Sequence, residues 1–391
     1  MRVAILVVIP LWLSLATAQA LAKDAPPPAP APAPASAAAP ATLRIAAVGD
    51  VMAHRLQLVA AWNPACKCHD FRSVFAQVKD ELSAADLAIG NFETTLPGKD
   101  FTGYPRFGSP DALAVALADA GFDVLTTVNN HALDRDGEGI VRTLEVLKKL
   151  GLVRLGTFAD DADYARRRVT LVERNGLRIA MLAYTEMTNM IPTPAGVYVN
   201  RISPALLTED LALARRKKPD VIMVFLHFGE QYQRAPNARQ RATVELAFRE
   251  GADVVLGSHP HVLQPYELRT IKDRFGREKP RLVAWSLGNF VSNYRMRFAD
   301  GSAILHFSLV RDAAGVTVPT DVSYTPIWTY GERDGDKVRF HVLPIERFAD
   351  NASAALKLPG KALRRMLLSL ADTEALLGPR DAAATRARAS R

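Results

Sequence analysis

Short apolar runs that stop at polar residues, separated by helical stretches, constrain this chain more than any other feature. Residues 43–48 stop at Gly49-Asp50, residues 87–89 at Gly90-Asn91, and residues 124–128 at Asn129-Asn130-His131. Residues 178–184, 221–225 and 254–256 form further runs of the same kind. Between them, Ser109-Pro110 opens a helix as N-cap and first-turn proline. A second helix is expected from about 139 to 150, closed by Gly151, with others near 204–217 and 238–250. Strand, loop and helix in repeated alternation predict an α/β body.

After Arg281 the pattern changes. Residues 282–285, 303–310, 316–328 and 338–343 read as successive strands with partial alternation of β-branched and aromatic residues, which suggests an antiparallel sheet. A helix is expected from 361 to 376, followed by a disordered basic tail over 379–391.

The N-terminus reads as a separate device. Arg2 precedes a largely apolar run over 3–16, and Ala18-Gln19-Ala20 offers small residues where a signal peptidase cleaves. The run is short for a membrane span of about 20 residues. The expectation is therefore a signal peptide over 1–20 and an exported, periplasmic protein, anchored to the membrane only if the signal stays uncleaved. Residues 21–41 are mostly Ala and Pro, an extended linker. With 391 residues and 49% hydrophobic content, the body buries a sizeable core without a disulfide framework. Cys66 and Cys68, flanking Lys67, are expected to close a local disulfide in an oxidising compartment; a soft-metal site is the alternative.

Forty-nine Lys and Arg against 41 Asp and Glu give a net charge of +8, or +7 without Arg2. Such a balance suits an anionic partner. The clusters Arg166-Arg167-Arg168 and Arg215-Arg216-Lys217-Lys218 are short and read as solvated surface, with no nucleic-acid partner expected.

The chemistry gathers where strands stop: Asp50, Asn91 with Glu93, Asn130 with His131, His227 with Glu230, His259 with His261, and Asn289. Ligands of open α/β sheets bind beyond the carboxyl ends of the strands. Hard oxygens mixed with imidazoles suit Mn, Fe, Zn or Co. His259-Pro260-His261, read as an extended segment, would turn both rings the same way.

In their order, the motifs Gly49-Asp50-Val51-Met52, Asn91-Phe92-Glu93, Asn129-Asn130-His131 with Asp134, His227-Phe228-Gly229-Glu230, Gly257-Ser258-His259-Pro260-His261 and Ser286-Leu287-Gly288-Asn289-Phe290 resemble the bacterial capsule-synthesis CapA family. That family is associated with poly-γ-glutamate capsule production and is similar to the calcineurin-like metallophosphoesterases. The resemblance implies a four-layer αββα sandwich over 42–295, with the strands and helix of 296–378 completing the fold. It also implies two divalent metal ions. Asp50 would bind the first and Glu93 would bridge both; Asn130, His227 and His259 would complete the second, and His261 would return to the first. His131 would act as an acid or contact phosphate. Asn91, Arg106, Asp134, Glu230 and Asn289 are expected to support these ligands or meet substrate.

Two departures stand out. Metallophosphoesterases usually carry a His two residues after the first Asp, where this chain has Met52, with His54 nearby. They usually bridge with Asp, where this chain has Glu93. Three functions follow: a metal-dependent phosphoester hydrolase in surface-polymer assembly, a non-catalytic accessory protein that binds or exports an anionic polymer, and a metal-dependent amide hydrolase of the polymer. The partners implied are the polymer or phosphoester and membrane-bound capsule-synthesis machinery.

Overall fold

The computed structural model describes residues 39–335, 337–350, 356–378 and 380. The expected signal peptide, nearly all of the linker and all but Arg380 of the basic tail lie outside them. Chain order gives β1 (Ala41–Val51), a two-stranded ribbon of β2 (Trp62–Asn63) and β3 (Cys68–His69), then β4 (Leu87–Phe92), β5 (Val124–Thr126) and β6 (Val153–Leu155). Next come β7 (Thr157–Phe158), β8 (Thr170–Arg174), β9 (Leu177–Thr185), β10 (Tyr198–Val199), β11 (Val221–His227) and β12 (Val254–Ser258). The series ends with β13 (Tyr266–Lys272), β14 (Glu278–Ala284), β15 (Asn289–Val291), β16 (Gly301–Arg311), β17 (Thr317–Asp334) and β18 (Lys337–Pro344).

Two large sheets carry the architecture. One runs β18-β17-β16-β1-β4-β5-β6, with β15 parallel to the end of β1. The other runs β13-β14-β12-β11-β9-β8. Central strands of both are parallel, whereas β8 and β13 pair antiparallel at the edges of the second. The antiparallel strands β16, β17 and β18 extend the first sheet from β1, with Ala41 opposite Arg311. β14, which the sequence groups with them, belongs to the second sheet beside β12.

Why the runs are largely apolar on both faces follows from layering. Leu43, Ile45 and Ala47 of β1 point into the core between the sheets with Met181, Met223 and Leu256. Ala46 and Val48 face the other way, onto Phe75, Leu113, Leu117 and Leu147. In the second sheet Leu182, Val224 and Leu226 face Leu207, Leu211, Val244 and Phe248 of the helices Pro204–Arg216 and Ala238–Arg249. Strands buried on both faces need apolar residues at every position. The result is a helix–sheet–sheet–helix sandwich.

Local starts differ from expectation in two places, and the first is that the helix expected from about 139 begins at Asp136. The helix Asp111–Asp119 is capped by Pro110 in extended conformation, and Ser109 instead bonds Thr94 (Oγ to Oγ1, 2.9 Å). The hydroxyl is claimed by a buried neighbour before it can reach the helix. The terminal helix Gly360–Leu377 packs Met366 against Trp328, Tyr330 and Leu343. Cys66 and Cys68 form a disulfide. No helix among the described residues is long and apolar enough to cross a membrane.

Away from the strand ends, the second sheet buries an ionic network. Arg281 is fully buried; its Nη1 lies 3.0 Å from Asp253 and its Nη2 2.9 Å from Asp273. Lys279 adds a second cation to Asp253 at 3.0 Å.

Candidate metal centre

The two sheets meet at their carboxyl ends because glycines permit it. A Cβ at Gly49 would lie 1.8 Å from the Gly288 carbonyl, and one at Gly257 2.1 Å from that of Trp285. The crossing segment 285–289 is held to both sheets: Leu287 N donates to Gly257 O (3.0 Å), and Asp50 N donates to Gly288 O (2.8 Å). Residues directly after these glycines therefore converge.

They converge as two groups of three that share Glu93: Glu93 with His227 and His259, and Glu93 with Asp50 and His261. All five are almost wholly buried. Glu93 Oε1 lies 3.6 Å from His227 Nε2 and 3.9 Å from His261 Nε2. That oxygen has no hydrogen-bond partner. Asn130 Oδ1 stands 2.6 Å from His227 Nε2, and His259 Nδ1 stands 3.1 Å from the same nitrogen. His261 Nδ1 lies 3.1 Å from Asp50 Oδ2 and 3.0 Å from Asn289 Oδ1.

Each donor is oriented from behind. Asn91 Nδ2 donates to Asp50 Oδ1 (2.8 Å), while its Oδ1 accepts from Thr126 Oγ1 (2.8 Å). Ser258 Oγ is 2.9 Å from His227 Nδ1, leaving Nε2 toward Glu93. Asn289 Nδ2 donates to the backbone of His261 and Ala299. Such fixed outer contacts set tautomer and ring direction in metal sites.

His259 and His261 do not sit on an extended segment. Strand β12 ends at Ser258, and both histidines adopt left-handed backbone, φ 99° and 58°. Non-glycine residues hold such angles only where surroundings enforce them, characteristically at functional sites. The rings therefore meet through a tight turn around Pro260, not through strand alternation.

Burial, reinforced by the neighbouring Asp50 carboxylate, pushes the Glu93 carboxyl well above the ordinary range. Burial lowers His227 far below the ordinary imidazole value, helped by His259, and lowers His259 to about 4, helped by His261. Imidazoles crowding a carboxyl oxygen with no donor, His227 and His259 among them kept neutral by burial, make a poor self-contained hydrogen-bond network. They make a good set of lone pairs for a divalent cation.

Beside this cluster His131 Nδ1 lies 2.7 Å from Asp134 Oδ2, which also accepts from Phe107 N (2.5 Å). The carboxylate acceptor makes Nδ1 the protonated nitrogen and leaves Nε2 for a substrate. A cleft of about 760 Å³ opens here, lined by His131, His261, Arg106, Tyr232, Tyr294 and His54 among others. Arg106 stands half exposed, 3.4 Å from Asp136. Glu230 is exposed and is not among the cleft-lining residues. The turn after Gly229 carries its carboxylate to solvent, so the expected support of a ligand histidine is replaced by Ser258 and Asn91. Met52 is buried, and His54, lowered to about 4 by burial, accepts from Asn293 N (3.2 Å) instead of joining the ligand groups.

Asn189 was not visible in the sequence reading. Its Oδ1 accepts from Asn130 Nδ2 (3.2 Å) and its Nδ2 lies 3.5 Å from His131 Nδ1. The signal that could have found it is positional: it follows β9, whose end lies in the same row as those of β11 and β12.

Paired sheets between helices, with a carboxylate–imidazole cluster where the strands stop, define a metallophosphoesterase-like fold. The solved structure of Haemophilus influenzae NAD nucleotidase has this fold, with a TM-score of 0.50, 15% identity, and coverage of 90% of this chain and 68% of that one. The bacterial capsule synthesis protein PGA_cap family matches residues 44–294, and the chain belongs to that family. It is 28% identical to the capsule biosynthesis protein CapA of Bacillus anthracis over 280 residues, 68% of this chain and 64% of that protein. It is also 28% identical to the PGA biosynthesis protein CapA of Bacillus subtilis (strain 168) over 255 residues, 62% and 63% of the two. The chain thus spans just under two thirds of these relatives.

Proposed function

We propose that this protein is an exported, metal-dependent hydrolase of phosphoester type that acts in the synthesis of a capsule or related anionic exopolymer. The observation that carries the reading is Glu93 Oε1, buried, without a donor, and set between the Nε2 atoms of His227 and His261. Glu93 would be shared by two divalent ions, one held with Asp50 and His261, the other with His227, His259 and Asn130. When bound, such ions supply Lewis acidity and activate water at neutral pH.

The chain's own groups do the rest. Asp134 holds His131 by Nδ1, so that Nε2 can pass a proton to a departing oxygen. Arg106, at the rim, meets the negative charge of an incoming ester. Tyr232 and Tyr294 wall the cleft and keep bulk water from its floor.

One observation favours a second reading, a binding protein without turnover: buried Met52 stands two residues after Asp50, the sequence position at which metallophosphoesterases usually carry a ligand imidazole. Metal content per chain, measured beside phosphodiesterase turnover in added Mn²⁺, separates the two. Two equivalents, with turnover lost in His131→Ala while metal is retained, is the expected result. One equivalent without turnover on any phosphoester overturns the hydrolase and leaves the binding role; turnover on amide bonds alone would move the reaction class.

A further inference from the structure

A second recess lies on the far edge of the sandwich. It encloses about 470 Å³ and shares no lining residue with the metal cleft. Five cations line it: Lys148, Arg154, Arg166, Arg167 and Lys217. They come from five different places: the end of the helix Asp136–Lys149, strand β6, two positions in the helix Asp161–Arg167, and the cap of Pro204–Arg216. β6 and β8 are the outermost strands of their sheets, so the recess sits where both sheets end.

Its charge is poorly compensated from within. Among the described residues Asp163 is the one carboxylate in ion-pair contact with any of the five, and it binds Arg166 and Arg167. No ion pair forms at Lys148, Arg154 or Lys217 among those residues. The Nε of Arg154 is buried and has no hydrogen-bond partner. Burial, and then the neighbouring Arg167, lowers the Arg154 pKa. Arg167 itself is committed to structure, donating to Arg154 O (2.8 Å).

Five cations against one carboxylate leave four positive charges facing one recess. A single small anion neutralises a fraction of that; a chain carrying several acidic groups neutralises all of it, and guanidinium forks suit carboxylates. We infer that this recess is a binding site for an acidic polymer bearing carboxylate side groups, separate from the metal centre. The inference rests on the proposed reading only in naming the capsule polymer as the source of that acid. The site would keep the polymer on the protein while one segment occupies the cleft, raising its local concentration there.

The test measures binding alone, so it stands apart from turnover. The full chain, stripped of metal with chelator, is titrated against fluorescein-labelled γ-linked oligoglutamate by anisotropy at low and physiological salt. Lys148→Glu with Lys217→Glu reverses two side chains that have no ion-pair partner to lose, and is expected to weaken binding by about tenfold or more and flatten its salt dependence. Lys361→Glu with Arg364→Glu, on the terminal helix, makes the same change in net charge and is expected to leave binding near wild type. Arg154→Gln, which keeps a polar end but removes the charge and shortens the side chain, is expected to weaken it as well. Equal losses in both double variants would reduce the effect to net charge and overturn the site. No loss in Lys148→Glu with Lys217→Glu would overturn it too. Tighter binding of polyphosphate, or full competition by inorganic phosphate, would overturn the carboxylate polymer as its ligand. Failure of phosphoester turnover with this pattern intact would leave the site standing and remove only the hydrolase.

Discussion

Replacing Glu93 by Gln sets two contributions of one side chain against each other. Without metal, the carboxyl is fully buried, lacks a donor at Oε1 and faces the charge of Asp50. Its pKa is raised by that burial, so its folded-state contribution is present below the ordinary carboxylate range and is lost as pH rises toward the raised value. An amide of the same shape removes the penalty. Metal-free Glu93→Gln should therefore gain on the order of 1–3 kcal/mol at pH 8, and little near pH 4. With metal the sign reverses. An ion at a thousandfold its dissociation constant stabilises the wild type by about 4 kcal/mol per site, and an amide cannot serve as the shared anion. Thermal unfolding is followed at pH 8 in chelator and in saturating Mn²⁺, with metal per chain counted alongside. The variant should melt a few degrees above the wild type in chelator and below it in Mn²⁺. A variant that melts lower in chelator, yet gains as much from Mn²⁺ as the wild type does, would refute the shared-ligand argument.

The remaining expectations concern proton transfer, acid stability and the buried ion network. Asp134→Asn removes the carboxylate charge that fixes His131, and should cut turnover by about 10²–10⁴-fold with metal content unchanged. His54 and His259 stay neutral down to about pH 4 in the folded state, so the unfolded chain binds protons first as pH falls from 6.5. Metal-free stability should thus fall between pH 6.5 and 4 by up to about 3 kcal/mol for each ring, and His54→Gln should flatten part of that slope in denaturant titrations. Arg281→Met leaves Asp273 and Asp253 buried with fewer counter-charges and should cost about 3–5 kcal/mol, visible as a lowered urea midpoint.

Much of the fold was legible because double burial writes itself into sequence. β1, β9 and β11 need apolar side chains on both faces over most of their length, so charge enters their runs only near the start, at Arg44 and Arg178, and the polar residue that ends each run marks the edge. β13 was not legible: Tyr266–Lys272 is half-exposed along its length and mixes Glu, Arg, Thr and Lys with apolar residues. The site's residue types were legible from chemistry, but their geometry was not. His259 and His261 meet through left-handed backbone that no periodicity encodes. Asn189 reaches Asn130 from the loop after β9, a pairing between positions 59 residues apart. The Arg166 and Lys217 clusters look like ordinary surface until folding sets them around one recess.

The order of the ligands along the chain also sets a timetable. A polypeptide growing from its N-terminus presents Asp50, Glu93 and Asn130 long before His227, His259 and His261 exist. At about 5–20 residues per second, the gap from Asn130 to His261 lasts on the order of ten seconds. During it the candidate ligands already made are all oxygens, which hold calcium or magnesium loosely and transition metals poorly. The imidazoles arrive last, with the second sheet. Were these groups to hold a metal, its selection would be deferred to the compartment and the moment in which folding finishes.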